Sequence, residues 1–142
     1  MKSFKFWTKV AAVLMIVTGI LHGTSLFVTS QPQNDTERQM LDLMTNYRID
    51  AGAGFHPSVS NLFTALSSCF TLLCVLGGIT LFYLLRKQTP DGTMRGILNI
   101  DLVIFGICFA VMGYFTFLPP IACTALIFVS LIAARLTIPA SK

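Results

Sequence analysis

The sequence predicts an all-α integral membrane protein, a four-helix up-down bundle with an outer amphipathic helix between its first two spans. Of its 142 residues, 54% are hydrophobic and 11% are charged, with a mean hydropathy of +0.75. Soluble domains are more polar than this. The apolar residues form four runs, at about residues 7–29, 59–85, 97–118 and 120–138, each close to the ~20 residues that a helix needs to cross a bilayer. We therefore expect a single domain over residues 1–142.

The first run contains a histidine, His22, and an imidazole within a membrane span is costly unless a partner satisfies it. At 100° per residue His22 shares a side of the helix with polar neighbours such as Ser25. The second run carries a similar polar stripe, which includes Asn61 and Thr64. Lipid cannot form hydrogen bonds with these groups, so we expect both stripes to face the interior of the bundle.

His22 lies eight residues before Ser30, which places it roughly 12 Å below the outer boundary by the helical rise. The sequence therefore predicts an outer-facing polar site beneath the surface helix. Its candidate residues are His22, Ser25, Arg48, His56, Asn61 and Thr64. The alternative interpretation is structural, with the imidazole hydrogen-bonded to serine, threonine or asparagine across a helix interface.

The N-terminal run could instead be a secretory signal peptide, because small residues precede Gln31 and would suit a cleavage point. The run is longer than the ~7 to 15 apolar residues of a signal core, and His22 interrupts it. We therefore expect this span to be retained.

The connection after the first run predicts a surface helix over residues 35–50. Asn34 and Glu37 have the spacing of a capping box, and glycines follow the segment at Gly52 and Gly54. One face of this helix is apolar at helical spacing, which favours a position on the outer membrane surface; it comprises Met40, Leu43, Met44 and Tyr47. We expect residues 51–58 to be a flexible stretch.

The later connections are short, and short connections make consecutive helices antiparallel neighbours, as in an up-down bundle. Basic residues precede the first run, follow the second and end the chain, whereas residues 30–58 carry four acids and two arginines. Because cytoplasmic segments retain positive charge, we expect both termini on the cytoplasmic side of the membrane and residues 30–58 outside. The net charge of +4 reflects this topology and does not indicate nucleic acid. The expected partners are the bilayer, a lipid or other amphipath, and a second copy or another membrane protein.

Two charged residues lie inside the last two runs, Asp101 and Arg135. Each is roughly 10 Å from the inner end of its helix by the helical rise, so an ion pair between them is expected. The alternatives are an arginine that extends to the interface and a proton path that uses Asp101.

Metal and haem sites are not expected. The four cysteines lie inside spans without a C-x-x-C pair, and we expect them to be small buried apolar residues. Haem held by His22 and His56 remains an alternative, since helical bundles hold haem through histidines. His56 precedes Pro57 in a loop and would have to turn inward.

Several short motifs occur in order along the chain: Gly19-x-x-His22-Gly23, Met44-x-x-Tyr47-Arg48, residues 58–63 and residues 114–120. In this combination the chain resembles a group of small bacterial four-span membrane proteins, similar to the uncharacterised family first catalogued from Leptospira. The resemblance implies a helical bundle in a bacterial inner membrane. It supplies no activity that can be transferred to this chain. Small multidrug-resistance antiporters have a similar size, but they depend on a carboxylate in the first span, which this chain lacks.

No catalytic set is recognisable in the sequence, and the leading hypothesis is a non-enzymatic accessory or amphipath-binding bundle. A membrane redox or lipid-modifying enzyme that uses His22 and His56 is one alternative. A small proton-coupled transporter that uses Asp101 is the other.

Overall fold

The structure is a computed structural model that describes residues 2–28 and 31–139. The described part contains five helices: α1 (Lys2–Ser25), α2 (Asp35–Asn46), α3 (Val59–Arg86), α4 (Asp91–Phe115) and α5 (Leu118–Thr137). All except α2 are long and apolar enough to cross a membrane. The prediction of an all-α protein with four candidate spans and a shorter helix between the first two is confirmed.

Several helix boundaries differ from the expected spans by a few residues. Helix α1 ends at Ser25, four residues before the apolar run does. Helix α4 begins at Asp91, six residues before its apolar run, because Pro90 precedes it and an aspartate in the first turn interacts favourably with the helix dipole. The cleavage point considered before Gln31 lies outside the described residues.

The described residues form two compact units, 2–18 with 74–139 and 19–28 with 31–73. The first unit contains the apolar core, to which four helices contribute. Its main buried side chains are Phe4, Ala11, Ala12, Met15, Leu81, Met94, Leu98, Phe105, Ile127, Leu131 and Ala134.

Helix α1 packs very closely on the second half of α3 in this unit. A Cβ atom added to Gly78 would lie 2.6 Å from the carbonyl oxygen of Ala12 and 2.6 Å from Ile16 Cγ1. Real Cβ atoms do not approach other atoms this closely, so only glycine permits the contact. A small residue on α3 therefore determines the distance between the two helices.

Helices α4 and α5 form an antiparallel hairpin with a two-residue link. Near the link, the rings of Phe109 and Phe128 stack with centroids 6.2 Å apart. At the far end, the Arg95 guanidinium donates a hydrogen bond to the carbonyl of Pro139. The contacts thus join residues of α4 and α5 that lie at similar distances from the link. This is the antiparallel arrangement that the short connection predicts.

In the second unit, the start of α2 confirms the predicted cap. The Glu37 N–H donates to Asn34 Oδ1 at 2.8 Å, and the Glu37 carboxylate accepts from the backbone N–H of Gln33 at 2.7 Å. The helix ends at Asn46, earlier than expected, because the chain from Arg48 onward pairs with a later segment instead.

That pairing makes an ordered hairpin of residues 48–58, which the sequence led us to expect as flexible. Arg48 and Ser58 form an antiparallel bridge, and the Ile49 N–H donates to the Pro57 carbonyl at 2.9 Å. The turn contains three successive residues with positive φ: Gly52 (79°), Ala53 (50°) and Gly54 (80°). The glycines are therefore there for turn geometry, since they adopt positive φ without steric cost.

Candidate functional site

His22 is half-buried and lies three residues before the end of α1. Its ring meets the ring of Phe70 on α3 edge to face, with centroids 5.0 Å apart and an interplanar angle of 81°. Its carbonyl accepts a hydrogen bond from Ser25 Oγ at 2.6 Å. Among residues 2–28 and 31–139, neither ring nitrogen has a hydrogen-bond partner. The imidazole thus packs against an aromatic ring, and within the described residues no serine, threonine or asparagine side chain is hydrogen-bonded to it.

The adjoining contact is also close. A Cβ atom added to Gly23 would lie 3.1 Å from Thr71 Cγ2. The hydroxyl of Thr71 is buried, and in the described part of the chain it has no hydrogen-bond partner. Nothing in the sequence alone pairs Thr71 with Gly23, which lie in different spans.

The candidate residues on α3 lie away from His22. Asn61 and Thr64 precede Phe70 by nine and six residues, which is about 13 Å and 9 Å along the helix axis. Both are exposed. The reason is the early end of α1: the first turns of α3 extend past Ser25 and receive no cover from that helix. His22 therefore does not share one level of the structure with Asn61 and Thr64.

The remaining candidates lie at the surface of the second unit. Ser25 is exposed, and Arg48 and His56 are exposed on the two arms of the hairpin. His56 precedes α3, whereas Phe70, which contacts His22, is eleven residues into that helix, about 16 Å along its axis. The two histidines are therefore not placed to hold one haem between them.

A concave apolar surface does occur in this unit. The apolar face of α2 and the first residue of α3 line one groove, whose residues are Met40, Leu43, Met44, Tyr47 and Val59. The stripe on α2 was visible in the sequence. Val59 was not assigned to it, because only the ordered hairpin returns the chain to α2.

Arg135 does not pair with Asp101. Its Nε donates to Asn99 Oδ1 at 2.6 Å, and no ion pair within 4.0 Å joins Arg135 to Asp101 among the described residues. Asp101 is two residues after Asn99, so it lies on another side of α4, about 200° around the helix. This corrects the expected ion pair.

Cysteine burial also differs in part from expectation. Cys74 is buried and Cys108 and Cys123 are half-buried, but Cys69 is exposed. In the described part of the chain, no three histidine, cysteine, aspartate or glutamate side chains cluster so that they could hold a metal ion. No metal centre can therefore be assigned from the side chains of the described residues.

No protein-family model matches the chain, and none of the curated proteins or solved structures compared with it is significantly similar. Membership of the Leptospira-type group therefore stays a prediction. Any functional argument has to rest on the residues themselves.

Proposed function

We propose that the chain is a multi-pass protein of a bacterial inner membrane, related to the Leptospira-type group, with four spans in up-down order and both termini in the cytoplasm. It acts as an accessory bundle that binds lipid or another amphipath on its outer side. The observation that carries this proposal is the uncovered apolar face of α2.

That face is poorly suited to water. Met40, Leu43 and Tyr47 are 53%, 61% and 62% exposed, and complete burial of such a side chain is worth about 1.5–3 kcal/mol. The opposite face carries charged residues that are also exposed. A helix with this division lies in the membrane interface, with its apolar side towards the acyl chains.

The four long helices support a membrane position. On α4, for example, Ile100, Val103, Ile104 and Ile107 form an outward stripe and are 57% to 61% exposed. A continuous exposed apolar surface of this kind needs an apolar environment, which a bilayer provides.

Polar groups near the start of α3 support a ligand with a polar end. Asn61 and Thr64 are exposed, and lipid chains offer them no hydrogen bond. Arg48, directly after Tyr47, and His56 are exposed donors on the two arms of the hairpin that leads into α3. An amphipath or a partner membrane protein would satisfy these donors, while the groove of α2 and Val59 holds the apolar part.

Native mass spectrometry of the full chain, extracted in mild detergent, tests this proposal. We expect bound lipid on the unmodified protein. Leu43→Asn should lower the number of lipids bound per protein molecule because it places an amide in the groove. Thr45→Asn, on the polar face of α2, is the matched control and should leave it unchanged. A protein without bound lipid, or equal loss in both variants, contradicts the proposal.

One observation favours a second candidate, proton-coupled transport. Asp101 is half-buried ten residues into α4 and, among the described residues, has no ion-pair partner. Asp101→Asn should then abolish proton-coupled flux in vesicles while Asp91→Asn retains it. Flux unchanged in Asp101→Asn removes this candidate. No comparable observation favours the enzyme alternative, because His22 and His56 do not lie together.

A further inference from the structure

An open groove of about 710 Å³ lies in the first unit, between the beginning of α1 and the end of α3. Lys5 and Lys9 line it from α1, and Arg86 lines it from the last turn of α3. Lys5 and Lys9 are four residues apart, a spacing that places them on the same face of the helix. Three basic residues from two helices therefore line one depression.

The rest of the lining is apolar or aromatic and comes from α3: Ile79, Phe82, Tyr83 and Leu85. Ile79 is the residue farthest from the end of the helix. The groove thus has basic residues at Lys5 and Lys9 on α1 and at Arg86 on α3, and an apolar side that continues towards the middle of α3. This division matches a molecule with an anionic head and a hydrocarbon tail.

The positive charges in the groove are not neutralised by the protein. No acid is among the lining residues, and none of the three cations forms an ion pair in the described part of the chain. Asp91 lines a neighbouring depression together with Lys5, but the two are more than 4.0 Å apart. A bound anion would relieve the mutual repulsion of the three cations.

We propose that this groove binds one anionic phospholipid, with its phosphate at Lys5, Lys9 and Arg86 and an acyl chain along Ile79, Phe82 and Leu85. Charge-assisted hydrogen bonds from lysine and arginine to phosphate oxygens are strong. Lys5 and Arg86 lie near the ends of two candidate spans, which is the level of lipid headgroups; Lys9 is four residues further into α1, and its long stem can lie along apolar surface while the ammonium group extends to that level. This site is separate from α2 and does not depend on the proposed function.

Lys87 provides a matched control for Arg86. It is the next residue and carries the same charge, but it does not line the groove. Its Nζ lies 5.7 Å from the centroid of the Tyr83 ring, a distance at which the ring attracts the ammonium group. General attraction of lipid to a basic surface would involve both residues, whereas the proposed site depends on Arg86.

Native mass spectrometry of the full chain in detergent, titrated with phosphatidylglycerol or phosphatidylcholine bearing the same acyl chains, tests the proposal. We expect one phosphatidylglycerol to bind at least fivefold more tightly than phosphatidylcholine. Arg86→Gln and Lys9→Gln should each weaken it about fivefold, the usual contribution of one cation near a membrane surface. Lys87→Gln should change it less than twofold.

Three results overturn the proposal: no preference for phosphatidylglycerol, equal weakening by Arg86→Gln and Lys87→Gln, or equally tight binding of soluble glycerol phosphate, which has no acyl chain. Circular dichroism checks that each variant keeps its helicity, and these exposed positions leave the core untouched. Leu43→Asn should not alter the preference for phosphatidylglycerol, so failure here is distinguishable from failure of the function proposed for α2.

Discussion

At the scale of single residues, Gly78 determines how closely α1 and α3 approach. A methyl group at this position would meet the backbone carbonyl of Ala12 at 2.6 Å, and a backbone atom in a helix cannot move aside as a side chain can. We expect Gly78→Ala to reduce the free energy of unfolding by about 1–3 kcal/mol, as overpacking does.

Gly96 is the matched control, because nothing lies within 4 Å of a Cβ added there. Gly96→Ala should stabilise α4 by about 0.5–1 kcal/mol, the usual gain from alanine in a helix. Thermal unfolding in detergent, followed by circular dichroism, measures both. Equal effects in the two variants would show that the close contact of α1 with α3 does not exist.

His22 can be tested through its contact with Phe70. An aromatic pair in this geometry contributes about 0.5–1.5 kcal/mol beyond burial. We expect His22→Ala to lower the unfolding temperature and His22→Phe to retain it, since phenylalanine keeps an edge-to-face partner for Phe70. If His22→Phe is as damaging as His22→Ala, then the ring nitrogens matter and the packing role is wrong.

At this scale the sequence showed which polar residues lie inside the spans. It did not show which residues of the neighbouring helices they contact. It placed His22 on a polar stripe and Arg135 inside a span, but not opposite Phe70 and Asn99. Those pairings depend on the axial register between helices, which long-range packing determines. A helical wheel shows on which face of its helix a residue lies. It does not show which residue of the neighbouring helix lies at the same height.

At the scale of elements, the hairpin of residues 48–58 depends on its positive-φ turn. A side chain in this conformation is strained by about 1–2 kcal/mol per residue, so Gly54→Ala should loosen the hairpin. Ala53→Gly should tighten it, because Ala53 already bears that strain at φ 50°. Hydrogen exchange at the Ile49 and Ala51 amides measures this. Faster exchange in Ala53→Gly than in Gly54→Ala would contradict the turn geometry.

The two ends of α2 show what can be predicted about an element. Its start depends on Asn34 and Glu37, a local interaction that the sequence displays. Its end depends on the pairing of Arg48 with Ser58, ten residues apart. The glycines of residues 51–58 by themselves indicate a flexible segment. The pairing of Arg48 with Ser58, which gives the segment its order, is not visible in the local sequence.

At the scale of the whole molecule, composition was sufficient to predict four spans, because the bilayer requires length and apolarity and little else. The candidate site was less predictable. The polar stripe of the second run predicts that Asn61 and Thr64 face the bundle interior, but α1 ends at Ser25 and both residues are exposed. The cationic groove was missed because Lys5, Lys9 and Arg86 were interpreted only as topology signals.

The most direct test of the central claim is the fluorescence of a tryptophan placed on α2 in vesicles. The chain has one tryptophan, Trp7, so Trp7→Phe gives a background for Leu43→Trp and Thr45→Trp. We expect that tryptophan at position 43 emits at shorter wavelength and is quenched by brominated lipid, whereas tryptophan at position 45 is quenched by aqueous iodide. Equal quenching of both by iodide, with none by brominated lipid, would contradict it.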